Sequence, residues 1–152
     1  MGFGMTTLNL GVLDIPRQTF VGGRPVDSAS PLMMSELADI LEDKYHVFEH
    51  FWQAHKDEIT DELVSSLSKE LFQNSGGRKI QFSGRALSEI KRKFAKFLTM
   101  KEMDSLGYPG IPTQASLAGV NHRKLHPYAK RPPRPSFIDT GQYLTSFIAW
   151  LD

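Results

Sequence analysis

The sequence predicts a mainly α fold, a small helical bundle with long extended N- and C-terminal arms; the alternative is an α+β arrangement with a few short strands. Three observations lead there. From Leu32 to Ser75 no glycine or proline occurs, and apolar residues recur at three- and four-residue intervals. A second stretch of the same kind follows Gly84. The flanks hold most of the 12 glycines and 9 prolines, residues that interrupt regular elements.

At 152 residues a single domain is expected, in four segments: an extended arm over 1–30, a helical part over 31–103, a Pro/Gly-rich basic arm over 104–136 and a docking segment over 137–152. The first thirty residues hold Gly2, Gly4, Gly11, Gly22, Gly23, Pro16 and Pro25. Their apolar patches at Leu8, Leu10, Val12, Leu13, Ile15, Phe20 and Val21 suit an extended chain that lies along the bundle or adds a strand to a neighbour. Ser30 and Pro31 resemble a capping hydroxyl followed by a first-turn proline. Leu37, Ile40, Leu41, Tyr45, Val47, Phe48, Phe51 and Trp52 then mark a broad buried face, continued by Ile59, Leu63, Leu67 and Leu71. An unbroken helix here would be about 60 Å long, so a break is expected near His55 to Asp57. Asn74 to Gly77 ends the stretch, and Ser83 or Gly84 starts the next helix, with Leu87, Ile90, Phe94, Phe97 and Leu98 inward.

Beyond Asp104, glycines at 107, 110 and 119 and prolines at 109, 112, 127, 132, 133 and 135 exclude a long regular element. Thr113 to Val120 suits one short helical turn, and the Arg131 to Pro135 run should be extended. The chain closes on Phe137, Ile138, Tyr143, Leu144, Phe147, Ile148, Trp150 and Leu151. The best reading of this segment is a short helix capped by Asp139 or Thr140, with a strand as the other possibility. Its aromatic side chains are expected to fill pockets on the bundle or on a neighbour.

The net charge of +1 conceals segregation along the chain. Residues 31–75 carry ten acids against Lys44, Lys56 and Lys69, whereas residues 76–103 carry eight bases against Glu89 and Glu102. Complementary stretches of this kind either attract each other within one subunit or fix the register between copies.

No run of apolar residues is long enough for a membrane span, and the start lacks the pattern of a signal peptide. The absence of cysteine excludes disulfides, thiolate catalysis and Cys-based zinc sites, and fits synthesis in a reducing cytoplasm. His46-Val47-Phe48-Glu49-His50 has the spacing of a zinc-peptidase helix, but no third ligand is evident, and surface or interface histidines are the better account. His122 and His126, also four apart, lie in a proline-bounded loop. Asp139-Thr140-Gly141 resembles one half of an aspartic-peptidase site without the second carboxylate such chemistry requires. No catalytic residue, metal site or cofactor is therefore expected. Arg123, Lys124, Lys130, Arg131 and Arg134, interleaved with His122, Tyr128 and Phe137, form a basic arm suited to weak DNA contact or to docking on protein.

The run Pro135-Ser136-Phe137-Ile138-Asp139-Thr140-Gly141-Gln142-Tyr143-Leu144-Thr145-Ser146-Phe147, preceded by Pro109-Gly110-Ile111-Pro112-Thr113 and Asn121-His122-Arg123, resembles small structural proteins of tailed bacteriophages, of the tail-completion and neck type. The resemblance covers about the last 45 residues. It implies a non-enzymatic virion protein, made in the host cytoplasm and present in several copies at the head-to-tail joint. A baseplate or tail-tube-associated position is the alternative, and a DNA-contacting protein using residues 123–134 is the alternative of another class. Partners would be other virion proteins and copies of the chain itself in a symmetric assembly, without a membrane. The expected docking residues are Phe137, Ile138, Asp139, Thr140, Gly141, Tyr143, Phe147 and Trp150.

Overall fold

The computed structural model describes residues 5–73 and 84–152. About half of these are helical, with a few short strands, which fits the α+β alternative with short strands and not a purely helical bundle. In chain order the elements are β1 (Leu8–Val12), β2 (Thr19–Val21), β3 (Arg24–Val26), α1 (Met34–Tyr45), α2 (Val47–Gln73), α3 (Gly84–Thr99), a 3-10 turn (Met103–Leu106), α4 (Gln114–Leu117), α5 (Gln142–Ser146) and β4 (Phe147–Leu151).

The core is aromatic and sits where α2, α3 and β4 meet. Phe51, Phe94, Phe97 and Phe147 are fully buried together with Ile59, Ile90 and Met34. Phe94 and Phe147 stack with ring centroids 4.1 Å apart, and Phe51 meets Phe94 edge-on at 5.2 Å. Offset stacks and edge contacts of this kind are the favoured geometries for aromatic pairs.

Two helix boundaries differ from expectation. α1 starts at Met34, not at Ser30 or Pro31. Residues 31–33 are instead drawn into extended pairing with the N-terminal segment: Pro16 bridges Met33, and Arg17 N–H donates to Leu32 O at 2.7 Å. Glu36 reaches back to accept from Met33 N–H at 2.8 Å and so caps the true start. The break in the long helical stretch lies at His46, not near His55 to Asp57. His46 is left-handed (φ 51, ψ 48) and closes α1. The Glu42 carboxylate then accepts from the Phe48 and Glu49 N–H groups at 2.7 and 3.1 Å, satisfying the first turn of α2. From there α2 runs 27 residues without interruption, about 40 Å. Its last turns carry exposed Val64, Leu71 and Phe72.

α3 buries Ile90, Phe94, Phe97 and Leu98 as the pattern indicates; the expected end over Asn74 to Gly77 and the expected start at Ser83 lie outside the described residues, of which Gly84 is the first of this part. The charge segregation is expressed within the subunit by the ion pair between Lys93 on α3 and Glu58 on α2. That contact, with His55 adding, holds the Glu58 carboxyl below its ordinary value.

The N-terminal arm is folded onto the body. β1 pairs antiparallel with β4, in the register Leu8 to Leu151, Leu10 to Ala149 and Val12 to Phe147. Those side chains face the core, while Asn9, Gly11, Ile148 and Trp150 lie on the other face. The Trp150 ring covers Gly11 so closely that a Cβ there would come within 3.1 Å of it. β2 and β3 form a separate hairpin.

Candidate functional site

The segment that carries the phage resemblance is a joint, not a free tail. Its second residue, Ser136, is buried, with its hydroxyl 3.1 Å from that of Ser116 and in reach of the Thr113 N–H at 3.1 Å. Thr113 in turn caps α4 through Ser116 N–H at 3.2 Å, so the expected short turn over Thr113 to Val120 is present. The Ser136 N–H donates to Asp104 Oδ2 at 3.1 Å. One polar cluster thereby ties the start of the segment to two stretches of the loop region, the α4 turn and Asp104.

Phe137 takes a left-handed backbone (φ 65) and packs its ring edge-on against Tyr45 at 5.2 Å. Asp139 was an expected helix cap, yet its carboxylate is spent elsewhere. Oδ1 accepts from the His122 N–H at 2.9 Å and Oδ2 meets His122 Nδ1. His122 Nε2 lies 3.3 Å from the Tyr128 hydroxyl. The N-cap of α5 is Gly141 (φ 82), and Thr140 contributes a long contact from Gln142 N–H at 3.4 Å. Gln142 uses both ends of its amide: Nε2 donates to Pro16 O at 2.8 Å and Oε1 accepts from Gln18 N–H at 2.7 Å. This clamp on the N-terminal arm had no signal in the sequence, since an isolated glutamine announces no partner.

Of the expected docking residues, Tyr143 and Phe147 are 5% and 0% exposed and lie within the chain's own core. Phe147 is the ring stacked on Phe94. The segment is therefore a short helix followed directly by a strand, combining the two possibilities. Ile138 is half-buried beside the core, and Trp150, at 41%, is the exposed aromatic of β4. The Tyr143 hydroxyl is buried without a hydrogen-bond partner among the described residues. Burial, with the Glu42 charge adding, pushes the Tyr143 phenol far above its ordinary value. Between α1 and this segment a cavity of about 160 Å³ opens, lined by Leu37, Leu41, Phe137 and Tyr143 with Arg17 and Asp139 at its polar side.

The basic arm is divided in two by its geometry. Arg131 donates to His126 O at 2.7 Å and to Pro127 O at 3.0 Å, closing the loop on itself. Arg134 donates through Nε to Val120 O and through an end nitrogen to Pro135 O at 3.0 Å. Burial lowers the Arg134 guanidinium from its ordinary value, against the opposing charges of Asp139 and Asp104. These two arginines are structural staples. Gly119 sits beneath them with φ 68, where a Cβ would fall 2.6 Å from Pro132 O; glycine is required there. Arg123, Lys124 and Lys130 remain exposed, with Arg123 over the Phe20 ring at 5.8 Å.

His46 and His50 stand one turn apart, His46 O accepting the His50 N–H at 2.9 Å and the two rings lying 6.4 Å apart, but each ring is engaged by a different neighbour. His46 lies at the left-handed break and pairs with Glu49 at 3.3 Å, while His50 packs against Tyr108 with ring centroids 4.8 Å apart. Glu42, His46 and Glu49 place possible ligand atoms within 4.8 Å of one another, but both Glu42 oxygens already accept the first N–H groups of α2.

Comparison with family models, with curated proteins and with solved structures finds no match for this chain.

Proposed function

We propose that the chain is a non-enzymatic structural subunit of a tailed-phage virion, placed at the head-to-tail neck or acting as a tail-completion protein, and docking on neighbouring subunits. The single observation that carries this reading is how the Ser136 to Phe147 segment is used. Ser136, Asp139 and Gln142 hold the loop region and the N-terminal arm to the segment, and Tyr143 and Phe147 fill the core. The residues that resemble the phage proteins thus act as architecture. A multi-copy assembly needs a rigid body presenting fixed surfaces, and preorganisation of this kind limits the ordering cost of docking.

The test is antibody labelling of purified particles of the phage that encodes the chain, with mass spectrometry of their protein content. Label at the neck or tail, in several copies per particle, is the expected result. A chain found only in the soluble fraction of infected cells would refute the proposal, whereas label at the tail end would favour the baseplate alternative.

A second reading, contact with DNA, draws on the exposed Arg123, Lys124 and Lys130 within one loop. It requires duplex binding that weakens steeply with salt and is lost in the triple alanine variant.

A further inference from the structure

We infer that copies of this chain join head to tail, the free edge of β4 in one copy adding to the free edge of β1 in the next. The inference rests on the reading of the chain as a multi-copy subunit and names the surfaces that join.

The first observation is the hydrogen-bond phase of the β1–β4 pair. Thr7 and Asp152 exchange both main-chain bonds, at 3.1 and 3.0 Å, and Leu13 N–H donates to Ser146 O at 2.8 Å. Alternation in an antiparallel ladder then assigns the inward bonds to the pairs Asn9–Trp150 and Gly11–Ile148. The main-chain groups of Leu8 and Leu10 on β1, and of Ala149 and Leu151 on β4, point outward and have no partner among the described residues.

The second observation is that neither strand carries the sequence features that usually guard an edge. Open edges are ordinarily blunted by charged residues, proline or a bulge. β1 reads LNLGV and β4 reads FIAWL, without charge or proline, and their pairing is regular throughout. A two-stranded sheet with two bare edges suits extension by a further strand.

The third observation selects the partner. β1 lies beside α1, separated by a cleft of about 280 Å³ with Asp39 on its α1 wall. Asp39, and Asp43 one turn further along α1, are exposed and have no ion pair among the described residues. β4 packs against α3, on which Lys91 and Arg92 are exposed, Arg92 pairing with Glu89 of the same helix at 2.9 Å and Lys91 having no ion pair among the described residues. Lys93, two residues on from Lys91 and so about 200° further round the helix, is the residue turned to α2, where it meets Glu58. Lys91 therefore occupies the opposite flank. Joining β4 to β4 or β1 to β1 would set like charges together, which opposes association. Joining β4 to β1 sets basic α3 against acidic α1 and continues the antiparallel alternation. Such a contact is heterologous, and it closes into a ring or extends as a filament.

The test uses purified full-length protein in sedimentation velocity at low and high salt, with circular dichroism as the check on folding. Wild type should form oligomers at low salt that dissociate as salt rises. Ala149→Pro, which removes an outward N–H and no internal bond, should weaken association at least about tenfold. The pair Asp39→Lys with Asp43→Lys, and separately the pair Lys91→Glu with Arg92→Glu, should each yield monomer. Mixing these two variants one to one should restore oligomers, because each then presents the charge that the other requires. Wild type that stays monomeric up to its solubility limit, or a native-like mixture that fails to recover, would overturn the inference. The charge variants keep the test open should Ala149→Pro not fold. Particle labelling reads the functional proposal separately: a chain present in particles whose assembly ignores all these variants refutes the edge contact alone.

Discussion

The helical body and the loop region from Met103 to Gly141 are held by different physics. In the body, Phe51, Phe94, Phe97 and Phe147 exclude water and make ring contacts of 4.1 to 6.0 Å. In the loop region, side chains bond to main chain: Arg131 and Arg134 to carbonyls, Asp139 to His122, and Ser136 to Thr113 and Asp104. Apolar burial is nondirectional and tolerates small shifts, whereas a buried hydrogen bond demands its partner at one place and costs more when left unmade than it gains when made. The body is thus stable as a mass, and the loop region is rigid by points. On the proposed reading as a docking subunit the second property matters most, since a surface built from loops is useful only if the loops are fixed.

The comparison can be broken most severely in the body. Phe94→Ala removes the ring shared by Phe48, Phe51 and Phe147 and should cost about 3–5 kcal/mol, read as a fall in the urea midpoint of unfolding. Because β4 follows α5 directly, loss of that stack should also release the β1–β4 pair.

A smaller and local effect is expected in the loop region. Asp139→Ala removes the acceptor for both the His122 ring and its N–H, and should cost about 1–3 kcal/mol. Amide hydrogen exchange should quicken over residues 121–134 while α2 and α3 keep their protection, as expected when a sub-global unit opens alone. Exchange that quickened equally everywhere would mean that the two regions form one cooperative unit.

The smallest effect sharpens the comparison by placing a polar atom in the wrong region. Tyr143 carries a buried hydroxyl without a partner among the described residues, so Tyr143→Phe should be neutral or slightly stabilising at pH 7. Its phenol is raised by burial in the folded state, whereas in the unfolded chain it ionises from about pH 10. Above that pH the unfolded state holds fewer protons, and stability falls as pH rises. The phenylalanine variant should lose part of that alkaline decline in thermal melts taken across the range.

The same division decides what was legible in the sequence. Ile90, Phe94, Phe97 and Leu98 announce their buried face through helical spacing, and all four are buried on α3. Thr113 announces its turn by a local hydroxyl. The break at His46 was not legible, because it depends on Glu42 reaching forward to two N–H groups across the turn. Neither was the pairing of β1 with β4, whose partners Leu8 and Leu151 lie at opposite ends of the chain. Local alternation is too brief in LNLGV to name a partner so far away. Arg131 and Arg134 read as free positive charge, since nothing in the sequence distinguishes a guanidinium in solvent from one bonded to carbonyls within the same loop. Of the expected docking residues, the structure places Asp139, Tyr143 and Phe147 in contacts within the chain.

The most direct measurement of the central claim is an image reconstruction of the particle at a resolution that traces side chains. The account predicts several copies of this chain around the particle axis at the head-to-tail joint, each with Phe147 stacked on its own Phe94, and with β4 of one copy beside β1 of the next. A reconstruction in which Phe137 to Asp152 leaves its own body to fill a neighbour, or in which the chain has no place in the particle, would contradict it.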